Sequence, residues 1–354
     1  MTAVTPLKVA IASFAHVHAA GYARALAAAP GVQVLAADPD GAAAPDAAPR
    51  GAELAASLGV DYVDDYDALF AWGPDAVIVT AENARHRAIV EQAASHGVHV
   101  LCEKPLATEI HDAKAMIAAC ENAGVILMVA YPVRFAPQFT ALRAHQDAGA
   151  LGELFAIVGT NNGKIPIGTR SWFTDPELAG GGALVDHVVH CADLIDALTG
   201  GMRAATVYAA ANSILHSDKG VQVETGGLVT VTYENGLIAT IDCSWSQPDT
   251  AATWGGVTLK VTGTRGSAEV EPFAERVAGV GLDGDIHLGY ATDVDALMLD
   301  EFLGAVRASG SAVAGTAPGV QPQPDGHVGL RTLEIVDAAR RSAREGAPVQ
   351  LLAG

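Results

Sequence analysis

The chain has 354 residues, 50% of them hydrophobic and 17% charged, enough apolar surface to fill the cores of two domains. Forty acidic residues against 21 basic ones leave a formal charge of −19, which disfavours nucleic acid and anionic membrane as partners. Cys102, Cys120, Cys191 and Cys243 show no C-x-x-C spacing; with no charged leader and no apolar run of membrane-spanning length, they point to a reduced, cytoplasmic protein without a disulfide framework or a zinc site.

Taken in order, Lys8–Ser13, Val32–Ala37, Ala76–Thr80, Val98–Cys102 and Val125–Ala130 are short apolar runs of buried-strand type. Helical patterns at Tyr22–Ala29, Ala84–His96 and His111–Ala123 separate them. Strands alternating with helices predict a doubly wound parallel sheet of Rossmann type over 1–131, with ligands beyond the carboxyl ends of the strands. Residues 41–51 and 315–326 are rich in Gly, Ala and Pro and read as loops; 61–70, acidic and aromatic with a helical start near Asp64, reads as a solvated edge.

The first strand-to-helix turn lacks G-x-G-x-x-G. Ala12, Ser13, Phe14 and Ala15 occupy it, followed by His16 and His18, and Phe14 stands where a pyrophosphate has to approach the backbone. Asp38, at the end of the second strand, is placed to accept from a ribose 2′-hydroxyl and to repel a 2′-phosphate, so NAD is expected in preference to NADP. Thr80, Asn83 and His86 follow the fourth strand, and Glu103 and Lys104 precede Pro105 after the fifth. Both sets suit the ribose and nicotinamide side of a dinucleotide.

Beyond Tyr131 the pattern changes. Leu154–Thr160, Ala205–Ala210, Gly227–Tyr233, Leu237–Ser244, Val257–Thr262 and Ser267–Val270 are strand candidates joined by turns. They predict an α+β domain over 132–354 with a mainly antiparallel sheet. Gly180–Asp196 reads G-G-G-A-L-V-D-H-V-V-H-C-A-D-L-I-D. On a helix, Asp186, His190 and Asp193 fall within roughly 60° of one another, so two acids and an imidazole share one face. A zinc site among these residues is not expected, for want of an H-E-x-x-H pattern. Val328–Arg344 reads as a terminal helix whose basic last turn suits the helix dipole.

His99–Ala107 (H-V-L-C-E-K-P-L-A), Thr80-x-x-Asn83-x-x-His86, the Gly180–Asp196 stretch and Pro324-Asp325-Gly326 together resemble the Gfo/Idh/MocA oxidoreductases, relatives of glucose-fructose oxidoreductase and inositol dehydrogenase. The resemblance covers nearly the whole chain. It implies an NAD-dependent dehydrogenase acting on a secondary alcohol of a sugar, cyclitol or related polyol. His190 would be the base, Asp186 would orient it, and Lys104 would bind the reacting oxygen. Arg134 would lie near the active site or form a structural salt bridge, and Glu103 would hold a ribose or fix the nicotinamide side; by their positions, Trp172 either rims the cofactor or substrate or packs, and His187 either touches substrate or packs. The family often assembles through its open C-terminal sheet, which implies a homodimer or homotetramer. Two rival readings are an NAD-dependent glycoside hydrolase working through transient redox and a non-enzymatic, dinucleotide-responsive regulator.

Overall fold

The computed structural model describes residues 6–41, 44, 48–281, 284–289, 292–310 and 321–352. Contacts divide the chain into two compact units, one of Met1–Tyr131, Pro166–Gly180 and Asp295–Leu333, the other of Pro132–Ile165, Gly181–Val294 and Glu334–Gly354. One edge of the division falls after Tyr131, but neither unit is a continuous stretch of chain.

The first unit is built on strands β1 (Leu7–Ala12), β2 (Val32–Ala37), β3 (Asp61–Val63), β4 (Ala76–Val79), β5 (His99–Cys102) and β6 (Leu127–Val129). All pair in parallel, in the order β3-β2-β1-β4-β5-β6, which is the doubly wound dinucleotide-binding arrangement. Continuous runs such as Val9–Ala12 and Ala76–Val79 are wholly buried, as strands covered on both faces must be. The connections carry α1 (Ala19–Ala28), α2 (Gly51–Leu58), α3 (Tyr66–Ala71), α4 (His86–Ser95) and α5 (Ile110–Ala123). The 61–70 segment supplies the unexpected short β3 and then the helix expected near Asp64, α3, whose N-terminus is capped by Asp65 accepting from Ala68 N at 2.7 Å.

The second unit opens with α6 (Pro137–Asp147) and β7 (Leu154–Gly163). After the first unit's short α7 (Pro176–Ala179) come the second unit's α8 (Ala183–Thr199), β8 (Ala204–Asn212), β9 (Gly226–Tyr233), β10 (Ile238–Ser244), β11 (Gly255–Gly263), β12 (Gly266–Val270) and the hairpin β13 (Arg276–Gly281) and β14 (Gly284–Gly289); α9 (Val294–Gly310) belongs to the first unit from Asp295 on, α10 (Gly326–Glu345) begins in the first and ends in the second, and β15 (Val349–Gln350) belongs to the second. Seven strands form one sheet, β12-β11-β7-β10-β9-β8-β15, antiparallel except for the β7–β10 pair. Helix α8 packs on β7, β9 and β10. Pro176–Thr199 is long and apolar enough to cross a membrane by composition alone, but 83% of its apolar window is buried inside the fold. The sequence reading passes over α2, α6, α9 and the β13–β14 hairpin. Residues 311–320 and most of 42–47, in the two expected loops, lie outside the described residues.

The glycine triplet has a definite task. The Glu224 carboxylate accepts from Gly182 N (2.8 Å) and Leu184 N (3.2 Å), and the Glu224 carbonyl accepts from Ala183 N (2.9 Å). One acid thereby satisfies three of the amide groups that open α8. That approach needs bare backbone, because a Cβ on Gly182 would lie 2.0 Å from the Glu224 carbonyl oxygen. Gly182→Ala should therefore cost ~2–3 kcal/mol of stability through overpacking, read as a lowered thermal midpoint; an unchanged midpoint would refute this account of the triplet.

Candidate functional site

The dinucleotide turn is held open by polar contacts that replace its missing glycines. Ser13 takes the first position with φ at 80°, a left-handed conformation that costs a non-glycine residue energy. Its hydroxyl donates to Asp38 Oδ1 (2.9 Å), its carbonyl accepts from Thr80 Oγ1 (2.6 Å), and its amide donates to the Ala37 carbonyl (2.7 Å). Phe14 is wholly buried, so its ring does not stand exposed at the turn.

Around the same turn lies a buried carboxylate network. Glu103 Oε1 accepts from Tyr22 OH (2.8 Å), lies 2.9 Å from His18 Nδ1 and 3.6 Å from His16 Nδ1, while Oε2 accepts from Lys104 N (3.0 Å). Burial alone would raise the Glu103 carboxyl, but the two imidazoles and Lys104 hold it well below the usual carboxylate range. His18 is shifted the other way: burial opposes its charge, and the facing Glu103 carboxylate raises it above the ordinary imidazole value. His16, His18 and Glu103 bring three potential metal-ligand atoms within 4.8 Å of one another. Tyr22 and His18 already engage the carboxylate, so the arrangement is accounted for as a hydrogen-bond network. Lys104 follows at the end of β5, buried and joined to Pro105 by a cis peptide.

Several expected contacts serve other purposes. His86 is fully buried between the carbonyls of Leu106 (3.1 Å) and Ala81 (3.2 Å), and burial lowers its pKa. It clasps the loops after β4 and β5 instead of facing a cofactor. Asn83 Nδ2 donates to the Ala179 carbonyl (2.9 Å), tying the β4 exit to α7. Trp172, expected at the substrate, donates from Nε1 to the Ala15 carbonyl (2.9 Å) and stacks on Phe173 with ring centres 4.0 Å apart. Beside it Arg170 Nε donates to the Phe14 carbonyl (3.2 Å). Trp172 thus belongs to a wall against the dinucleotide turn.

Asp38 is also used differently from expectation. Its Oδ1 accepts from Arg50 Nη2 (2.8 Å) as well as from Ser13, and its Oδ2 accepts from Arg50 Nε and Gly51 N (both 3.0 Å). Burial would raise its pKa, and the Arg50 guanidinium outweighs burial to hold it low. Arg50 also donates from Nη1 to Glu82 Oε1 (3.1 Å). Neither Arg50 nor Glu82 is singled out by the sequence reading; the available signal was one guanidinium ending an otherwise uncharged or acidic loop shortly after Asp38.

In the second unit α8 is buried along almost its whole length. Asp186, His190 and the terminal Thr199 are its only residues that are not. The two reactive candidates, one turn apart, therefore share the one edge of a core helix that is only partly buried. Asp186 Oδ2 accepts from Trp245 Nε1 (3.1 Å) and lies 3.2 Å from His187 Nε2, whose Nδ1 lies 2.9 Å from the Asn161 carbonyl. His187 is thus buried behind Asp186, with both ring nitrogens engaged, and is corrected from substrate contact to support. Arg134 is corrected similarly: its Nη2 and Nε meet Asp193 Oδ1 and Oδ2 at 2.6 and 3.2 Å, bracing α8 from inside. Burial pushes the Asp193 carboxyl up to about 6 against the pull of Arg134. The third polar residue of the predicted face is thereby removed from the reactive edge.

Residues 13–131 match the oxidoreductase-family model for an NAD-binding Rossmann fold, and residues 139–269 match the GFO/IDH/MocA C-terminal domain. D-xylose 1-dehydrogenase (NADP(+)) 2 of Haloferax volcanii is 30% identical over 85% of this chain and 89% of its own length. The chain belongs to the Gfo/Idh/MocA oxidoreductase family. D-apiose dehydrogenase of Paraburkholderia graminis is 31% identical over 78% of this chain and 73% of its own. Among solved structures, GenD2 from gentamicin A biosynthesis, in complex with NAD, superposes with a TM-score of 0.81 at 23% identity, covering 100% of this chain and 98% of that one. Myo-inositol 2-dehydrogenase of Lactobacillus plantarum gives 0.79 at 20% identity, covering 98% and 100%. As a member of this family the chain is an NAD(P)-dependent dehydrogenase acting on CH–OH groups.

The Glu103 network makes a pH-dependent prediction. Because the folded pKa of His18 is raised, the stability it contributes is full below about pH 6.5 and is lost as pH rises through the folded value. Histidine NMR should show His18 titrating above 6.5, and Glu103→Gln should return it to 6.5 or below. A titration that Glu103→Gln leaves unmoved would refute the pairing.

Proposed function

We propose that the protein oxidises a secondary alcohol of a sugar, cyclitol or related polyol, or reduces the matching ketone, with NAD as the working cofactor. The observation that carries this reading is the α8 edge, where a helix otherwise buried leaves Asp186 and His190 only half-buried, one turn apart. NAD, when bound, supplies the hydride acceptor. The turn of Ala12, Ser13, Phe14 and Ala15, with the Phe14 side chain buried, suits the backbone approach of its pyrophosphate, and Glu103 with His18 suits the region beside it. His190 accepts the hydroxyl proton on its ring nitrogen and returns it in the reverse direction, since imidazole titrates near neutrality. Asp186, held by Trp245 and His187, orients His190 or a neighbouring hydroxyl. Lys104 donates to the reacting oxygen and favours its alkoxide character.

The sheet of the second unit supports a homo-oligomer. Its outer face exposes large apolar side chains where solvent contact is costly, Val158, Tyr208, Leu228 and Ile238 among them, Leu228 being 63% exposed. We place a dimer or tetramer contact there. Four buried, free cysteines fit a reducing cytoplasm.

A panel of sugars and polyols followed at the NADH absorbance tests the reaction. With the best substrate, His190→Ala should lower kcat at least about 100-fold while NAD binding persists; a fall under tenfold would remove His190 from the role of base. Lys104→Met should damage kcat more than NAD affinity, and an intact rate would exclude it. Leu228→Glu should shift the sedimenting species to a smaller one, whereas an unchanged species would move the contact elsewhere.

A further inference from the structure

The strand ends of the first unit bound a cavity of about 420 Å³ lined by Asp40, Arg50, Glu82 and Arg85 on one side and by Ser171–Leu178 residues on the other. That volume is within the range of small-ligand pockets, and its position beyond β2 and β4 is where a doubly wound sheet takes the adenosine half of a dinucleotide. Asp38 is the residue that should read the ribose there. Yet it is 1% exposed, and both of its oxygens already accept two hydrogen bonds each, from Ser13, Arg50 and Gly51. A hydroxyl would have to displace the guanidinium to reach it.

Glu82 is in the opposite condition. Its side chain is 5% exposed; Oε1 accepts from Arg50, but Oε2 is buried with no hydrogen-bond partner. The nearest cation, Arg85 Nε, stands off at 3.5 Å, and the Arg85 guanidinium, 37% exposed, is paired with Asp40. An ionised oxygen out of water without a donor is costly and calls for a ligand that brings one. The surrounding charges, four carboxylates (Asp38, Asp40, Glu82, Asp175) against two guanidiniums (Arg50, Arg85), favour a neutral donor over a further anion.

We infer that Glu82, not Asp38, is the carboxylate that accepts from the adenosine 2′-hydroxyl, and that it is therefore the residue selecting NAD over NADP. Arg50 is its positioning residue, holding Glu82 and Asp38 together by one fork of donors. Arg85 is the movable cover that swings aside when the ribose enters. A 2′-phosphate offers no proton and adds negative charge beside a buried anion, so it is rejected. The inference rests on the dehydrogenase reading above and sharpens its cofactor preference.

Binding of NAD, NADP and the 2′-deoxyadenosine analogue of NAD, followed by calorimetry on the intact protein, tests it. The wild type should bind NAD about tenfold or more tighter than the deoxy analogue and tighter still than NADP. Glu82→Gln should bind NAD about tenfold more weakly, scarcely distinguish NAD from the analogue, and narrow the gap to NADP, while Asp38→Asn should weaken all three alike. Glu82→Asp, which keeps the charge beside Arg50 but withdraws it from the cavity, should lose the same discrimination and serves if the Gln variant does not fold. A wild type that binds the deoxy analogue as tightly as NAD, or a Glu82 variant with discrimination intact, overturns the role of Glu82 alone. Failure of the wild type to bind any of the dinucleotides overturns the dehydrogenase reading and this inference with it.

Discussion

A carboxylate removed from water has to be met by donors, and this constraint shapes both units. An unpaired buried anion costs more than a domain of this size has stability to spare. Glu103 is therefore enclosed by Tyr22, His18 and the Lys104 amide, Asp38 by Arg50 and Ser13, and Asp193 by Arg134. Each set draws on residues far apart in sequence. Once formed, they hold the strand ends and α8 in the conformations from which the remaining side chains act.

The same constraint separates supporting residues from those left to meet a ligand. Histidines and acids crowd the turn after β1 and the start of α8, but most are committed to each other or to backbone carbonyls. His86 bridges two loops, His187 stands behind Asp186, and Arg134 is used inside its own unit. The proposed reaction draws on few side chains: Lys104 beside Glu103, Asp186 and His190 along the one edge of α8 that is not fully buried, and Glu82, whose Oε2 has no hydrogen-bond partner. Rigid supports behind so few reactive groups suit a reaction in which a proton and a hydride leave one carbon in a fixed geometry.

The turn after β1 shows how a missing motif can be made good. Glycines normally allow the left-handed backbone and the close approach there. Here Ser13 adopts φ 80° and is held by its neighbours, and Phe14 is accommodated in the core. Tertiary contacts thus stand in for a local conformational preference. No local reading of Ala12–His18 could have revealed this, because Asp38, Thr80 and the Ala37 carbonyl all come from other strands.

The alternation of apolar strand runs with helical periods was legible from the chain alone, because a strand covered on both faces must be continuously apolar and a helix at its flank must be amphipathic. So were the switch to an antiparallel sheet after Tyr131 and the one-turn spacing of Asp186 and His190, which the helical repeat sets whatever surrounds it. Which side chains at those positions stay available was decided only by folding. Whether Asp38 meets a ribose or an arginine, and whether Trp172 meets a substrate or the Ala15 carbonyl, depends on partners brought from 12 and 157 residues away. Sequence spacing sets direction along one element; it cannot say what a distant segment will place against it.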